Sequence, residues 1–113
     1  MTGRRAAKVD ANQKEIVDGL RRLGFSVCSL ASVGNGCPDL VVGVDDTNFL
    51  FEVKDGRKPP SQRKLTKKEE AFKAQWRGQL HVVECLEDAI AVIENALNLM
   101  LIHSASNPTK PYP

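Results

Sequence analysis

The stretch from Pro38 to Lys54 constrains the fold of this chain more than any other. Leu40-Val41-Val42-Gly43-Val44 is nearly continuous apolar sequence, the mark of a strand covered on both faces. Asp45-Asp46-Thr47-Asn48 is turn chemistry, and Asn48 to Lys54 returns as the second strand of a hairpin. Side chains alternate along a strand, so Phe49, Phe51 and Val53 share one face while Leu50, Glu52 and Lys54 share the other. Pro38 cannot donate to a ladder and suits a strand start, where it fixes Asp39. Antiparallel pairing then brings Asp39 to the end of the hairpin that carries Glu52 and Lys54. The result is a hairpin apolar everywhere except at one end of one face. Two carboxylates and an ammonium converging there are costly to desolvate without a partner such as a divalent metal or a phosphate.

Around this hairpin the sequence predicts a single domain over residues 10–103, with a basic arm over residues 1–9 and a proline-rich tail over 104–113. A first helix begins near Asp10 or Asn12, with either Asp10 and Gln13 or Asn12 and Glu15 as the capping pair. Ile16, Val17, Leu20 and Leu23 form its apolar stripe, and Gly24 ends it. Glu15 flanks that stripe. It either complements the helix dipole or reaches the sheet. Phe25 to Leu30 reads as a strand, and Ala31 to Cys37 as a loop with two glycines. Thr66-Lys67-Lys68-Glu69 is a capping box opening a helix that ends at Gly78, with Phe72 and Trp76 on the same face. Trp76 is expected in the core or at an interface. Leu80 to Glu84 reads as a further strand, and a last helix starts near Glu87 with Ala89, Ile93, Leu97 and Met100 buried. From Leu97 to Ile102 that helix is apolar nearly all round, so it needs a second surface, either another subunit or a deeper intramolecular pocket.

Charge narrows the function. From Lys54 to Lys68 seven basic residues stand against the single acid Asp55, while nine basic residues face thirteen acids in the rest. Such a local patch on a near-neutral domain either solubilises a loop or meets a polyanion. Its adjacency to the carboxylate pair favours the polyanion. Cys28, Cys37 and Cys85 match neither a zinc pattern nor a disulfide framework, so they read as free thiols in a reducing compartment. His81 and His103 lack ligand-spaced partners and read as structural. No apolar run follows the basic N-terminus, which predicts a cytoplasmic protein without signal peptide or membrane segment. No glycine-rich phosphate loop points to a nucleotide cofactor.

Hydrolysis of a phosphodiester needs an activated water, stabilised charge on phosphorus and help for the leaving oxygen. Hard divalent cations supply these and prefer oxygen ligands. Asp39 and Glu52 are suitable ligands, with the Val53 backbone carbonyl a third. Lys54 can orient the water or stabilise charge, and Glu15 can complete the shell directly or through water. Arg57, Lys58, Arg63, Lys64, Lys67 and Lys68 would hold phosphates without reading sequence.

Pro38-Asp39, twelve intervening residues and Glu52-Val53-Lys54 together resemble the PD-(D/E)XK nuclease motif. The longer strings Gly36-Cys37-Pro38-Asp39-Leu40-Val41-Val42-Gly43 and Phe51-Glu52-Val53-Lys54-Asp55-Gly56, with Leu65-Thr66, are similar to small stand-alone VRR-NUC domains. The resemblance spans about residues 12–84. It implies an α/β, restriction-endonuclease-like core of order α-β-β-β-α-β with a mixed sheet flanked by helices, followed here by a C-terminal helix. It also implies a Mg²⁺- or Mn²⁺-dependent deoxyribonuclease in which Glu15, Asp39, Glu52 and Lys54 are catalytic and Val53 lends its carbonyl to the metal. Stand-alone phage and bacterial members imply homodimeric cleavage of branched DNA such as Holliday junctions, here through the C-terminal helix. A nonspecific or flap-type nuclease would use the same residues. An accessory protein that binds nucleic acid without cleaving it is the alternative from a different class.

Overall fold

The computed structural model describes residues 11–105, with side chains through Asn98. The elements run α1 (Gln13–Arg22), β1 (Ser26–Ser29), β2 (Leu40–Val44), β3 (Thr47–Val53), a 3-10 turn (Pro60–Gln62), α2 (Lys67–Gln75), β4 (Leu80–Val83) and α3 (Leu86–Ala105). This is the α/β order expected from the sequence. The arm over residues 1–9, the Asp10 cap, Met100, His103, the side chains of the apolar run from Leu99 onward and the tail from residue 106 lie outside the described residues or side chains. The last helix runs two residues past the predicted domain end at 103.

The four strands form one mixed sheet in the order β1-β2-β3-β4. β1, β2 and β3 are a meander of antiparallel neighbours, and β4 joins β3 in parallel. A parallel neighbour requires a crossover, and α2 with its flanking loops provides it. The β2–β3 hairpin closes on Asp45 and Asp46, at φ of 55° and 64°. Two successive positive φ values make the mirror-image turn whose twist matches a hairpin, and aspartate tolerates that conformation. Thr47 therefore belongs to the strand and faces Val44.

One face of the sheet meets α1 and α3. Leu40 and Val42 of β2, Phe49 and Phe51 of β3, and Val83 of β4 are fully buried there with Ile16, Leu20, Ala89 and Ile93. Full burial of side chains this size stabilises by about 1.5–3 kcal/mol each. His81 lies on this face beside Phe49 and Phe51, with ring centroids 6.4 and 6.2 Å away, as its structural reading anticipates. At Gly19 of α1 a β-carbon would lie 2.4 Å from the side chain of Leu86, so the missing side chain lets α1 and α3 pack closely.

Three expectations need correction. β2 alternates between buried and half-buried positions, so its second face is only partly covered. Glycine at 43 and valine at 41 read as apolar in sequence without being core. Asn12 precedes α1 but its side chain makes no cap. The residue has helical angles, and its amide instead donates to the backbone carbonyls of Lys54, at 3.1 Å, and Glu84, at 2.9 Å. The side chain thus bridges the ends of β3 and β4, where the Glu84 carbonyl also accepts the Gly56 amide at 3.3 Å. Finally, α2 ends at Gln75 rather than at Gly78. Of the two places expected for Trp76, its 46% exposure removes the core and leaves the interface. No residue of α2 is buried.

Candidate active site

Asp39 sits one residue before β2 yet is already locked into the ladder. Its amide donates to the Phe51 carbonyl at 3.0 Å, and its carbonyl accepts from Leu30 at 2.7 Å. The fully buried Pro38 holds it from the other side. The side chain turns along the sheet, and its Oδ2 accepts the Val53 amide at 2.7 Å. In a strand the amide and carbonyl of one residue point to the same side, so the Val53 carbonyl is directed toward this same edge.

Glu52 and Lys54 project from the opposite face to Phe51 and Val53, as the alternation of β3 requires. Both are buried, at 4% and 9% exposure. The Lys54 ammonium lies 3.7 Å from the Glu52 carboxylate and 2.9 Å from Glu69 Oε1. Glu69 belongs to the first turn of α2, where it also accepts the Thr66 amide at 2.9 Å while its own amide donates to Thr66 Oγ1 at 3.1 Å. A single carboxylate thus completes the capping box and anchors the lysine. The loop that precedes β2 is fitted against this turn. Gly36 has a φ of +81°, and a β-carbon there would lie 2.3 Å from the Lys68 carbonyl oxygen.

The electrostatics are those of acids crowded about too few cations. Burial, then the charges of Asp39 and Glu69, push Glu52 up to about 9. Burial also raises Asp39, outweighing the Val53 amide that favours its ionised form. Burial opposes ionisation of Glu69 as well, but the bonds from Lys54 and Thr66 hold it below the ordinary glutamate range. The neighbouring Cys37 thiol is raised by burial and by the Glu52 and Asp39 charges, which keeps it protonated. One ammonium among three carboxyls leaves the site short of positive charge.

A divalent cation fits that deficit, and the donors suit it: two carboxylates and a backbone oxygen are hard ligands. Among the described residues no group of three or more His, Cys, Asp or Glu side chains is disposed to enclose a metal. The candidate set is accordingly a partial one, and Mg²⁺ ordinarily completes such a set with water.

Glu15 lies elsewhere. It is exposed, pairs with Arg57 Nη1 at 3.9 Å, and lines a recess of about 380 Å³ with Asn12, Asp55, Glu84, Cys85 and Asp88. Asp39, Glu52 and Lys54 are not among the residues lining that recess. Of the expected phosphate contacts, Arg57, Arg63 and Lys58 have partners in the fold. Arg57 grips Asp55 through two bonds of 3.0 and 3.1 Å, and that grip holds the Asp55 carboxyl below its usual range. Arg63 bonds both carboxylate oxygens of Glu84 at 3.2 Å and the Lys58 carbonyl at 2.8 Å. Lys64, Lys67 and Lys68 are exposed around the start of α2. The sequence missed Glu69 as a member of the site. Its capping-box spacing identified one role and concealed the other.

Compared with family models, with curated proteins and with solved structures, the chain finds no match in any of the three. Its own geometry therefore defines it: an α/β domain with a buried carboxylate–lysine cluster at one end of its central hairpin. Among the described residues no helix is long and apolar enough to cross a membrane.

Proposed function

We propose that the protein is a divalent-metal-dependent DNA endonuclease that hydrolyses phosphodiester bonds, with branched DNA such as Holliday junctions as its substrate and a homodimer as its working form. The observation that carries this reading is the convergence of Asp39, Glu52 and Lys54, with Glu52 pushed up to about 9 by burial and by its acidic neighbours. A fold gains no stability from such an arrangement, which favours a functional reason for it. The motif resemblance of Pro38-Asp39 and Glu52-Val53-Lys54 points the same way.

In this reading Asp39, Glu52 and the Val53 carbonyl hold Mg²⁺ or Mn²⁺, with Glu15 joining only through water or a rearranged side chain. Such an ion, when bound, would acidify a water and offset charge on the phosphate. The chain's own contributions can be read residue by residue. The Val53 amide fixes Asp39 so that its second oxygen is presented to the site. Glu52 is held close to Asp39 and loses its proton when positive charge arrives. Lys54, kept in place by Glu69, stabilises the charge that develops on the phosphate oxygens. The exposed Lys64, Lys67 and Lys68 contact the flanking phosphates, while Arg57 and Arg63 brace the loop before them. Dimerisation rests on the apolar run Leu97, Leu99, Met100, Leu101 and Ile102, which needs a covering surface.

The test is a panel of labelled duplex, flap and four-way junction, each with Mg²⁺ and with chelator. Cleavage of the junction in Mg²⁺ alone, with paired incisions, is expected. Mg²⁺-independent cleavage, or none on any substrate, would refute the reading. A monomer by sedimentation at micromolar concentration would remove the dimer.

A further inference from the structure

α2 is a helix that the core does not need. None of its residues is buried, and the few apolar side chains it has are alanines and Phe72, with Trp76 as its cap. Phe72 and Trp76 are stacked, with ring centroids 5.3 Å apart and planes within 17°. The chain turns back beneath the indole edge, where a β-carbon on Gly78 would lie 2.9 Å from Trp76 Nε1. One face of the indole is therefore covered by Phe72 and one edge by the backbone. Even so, Trp76 remains 46% exposed. The surroundings are basic: Lys64, Lys67, Lys68, Lys73 and Arg77 are all exposed between residues 63 and 77, against the exposed Glu70 and the Glu69 already bonded to Lys54.

A half-exposed aromatic ring stacked on a second one, flanked in sequence by Lys73 and Arg77 with Lys64, Lys67 and Lys68 toward the start of the helix, matches what single-stranded nucleic acid requires. Bases stack on the ring and phosphates meet the cations, without sequence preference. We propose that the Phe72–Trp76 pair is a stacking platform for an unpaired base of DNA, presented on α2 at a fixed distance from the carboxylate–lysine cluster. That distance follows from the Lys54–Glu69 bond, which ties the first turn of α2 to the cluster. Trp76 lies seven residues beyond Glu69, or about 10 Å along the helix at 1.5 Å per residue. At 3.4 Å per nucleotide of one strand this is a reach of roughly three nucleotides. A branch point or a frayed end supplies an unpaired base at that range, whereas a blunt duplex does not. The cluster's role as the cleavage site rests on the nuclease reading above. The platform itself does not.

The chain has a single tryptophan, so its fluorescence reports on this surface alone. The 113-residue chain is titrated in chelator with a 16-residue oligothymidine, and separately with a blunt hairpin duplex of equal phosphate count. Saturable quenching by the oligothymidine, and much weaker quenching by the duplex, is expected. In anisotropy with labelled DNA, Trp76→Ala should weaken oligothymidine binding about ten-fold and leave duplex binding within about two-fold. Trp76→Phe should retain most of the affinity, because a phenyl ring also stacks. Saturable oligothymidine binding without quenching overturns the platform. Equal weakening of both DNAs in Trp76→Ala also overturns it, since that reports a general electrostatic or folding effect. Emission that instead changes with protein concentration alone, in step with dimer formation in sedimentation, assigns the surface to a second copy. Quenching without cleavage of any substrate sinks the nuclease reading and keeps the platform, and cleavage without quenching does the reverse.

Discussion

Replacing Glu52 with glutamine should make the protein more stable while abolishing the proposed cleavage, and the gain should depend on pH in a defined way. Glu52 is pushed from an ordinary 4.5 to about 9. Between those values the folded protein binds a proton that the unfolded chain has released, so stability falls as pH rises through the window. Glutamine takes no part in this titration. The two proteins should be nearly equal near pH 4.5, diverge above it, and reach a constant difference above about pH 9. Each pH unit inside the window corresponds to about 1.4 kcal/mol. At pH 7.5 about three units have been crossed, an upper value of about 4 kcal/mol, of which Asp39 shares part by adjusting its own protonation. An advantage of about 2–4 kcal/mol is expected, or at least about 8 °C in Tm for a domain of this size. The Lys54 ammonium keeps its 2.9 Å bond to Glu69 in the variant, so it is not left bare. Thermal melts of both proteins in chelator at pH 5, 7 and 8.5 make the comparison. A Glu52→Gln protein equal to or less stable than the parent at pH 8.5 would refute the crowded-carboxylate account.

Mg²⁺ should stabilise the parent protein by an amount that grows with concentration, about 2.7 kcal/mol at a hundred times the dissociation constant and read as a rise in Tm, and should leave Asp39→Asn unchanged. Asn12→Ala should cost about 1–3 kcal/mol in urea denaturation, because it removes the two hydrogen bonds by which one amide bridges the Lys54 and Glu84 carbonyls. Gly36→Ala should cost about 1–3 kcal/mol in the same assay, from its positive φ and its collision with the Lys68 carbonyl. Joint replacement of Lys64, Lys67 and Lys68 by alanine should reduce the slope of log affinity against log salt for DNA by about 2–3, measured by anisotropy in chelator.

The hairpin was legible from sequence almost to the residue because two local signals agree there. Apolar alternation defines each strand, and the Asp45-Asp46 pair defines the turn. The same holds for the Thr66–Glu69 capping box, whose partners are three residues apart. What escaped the sequence involves side chains that serve distant partners. Asn12 has the position of a cap, yet it is taken by carbonyls 42 and 72 residues away. Glu69 serves its own helix and, across fifteen residues, Lys54. Glu15 is helical and acidic as expected, but its direction off α1 places it with Arg57 in an adjoining recess. Arg57 and Arg63 count as basic residues in any sequence tally, although their acids occupy them in the fold. Trp76 reads as core or interface, and the absence of an apolar stripe along α2 is the signal against the core.

The central claim is that Asp39, Glu52 and Lys54 form a metal-dependent cleavage site. Its most direct measurement is single-turnover cleavage of a labelled four-way junction in Mg²⁺ by the parent protein and by Asp39→Ala, with junction binding followed in parallel in Ca²⁺. The account predicts cleavage by the parent, loss of at least about a hundred-fold in the variant, and binding preserved in both. Unchanged cleavage by Asp39→Ala would contradict it.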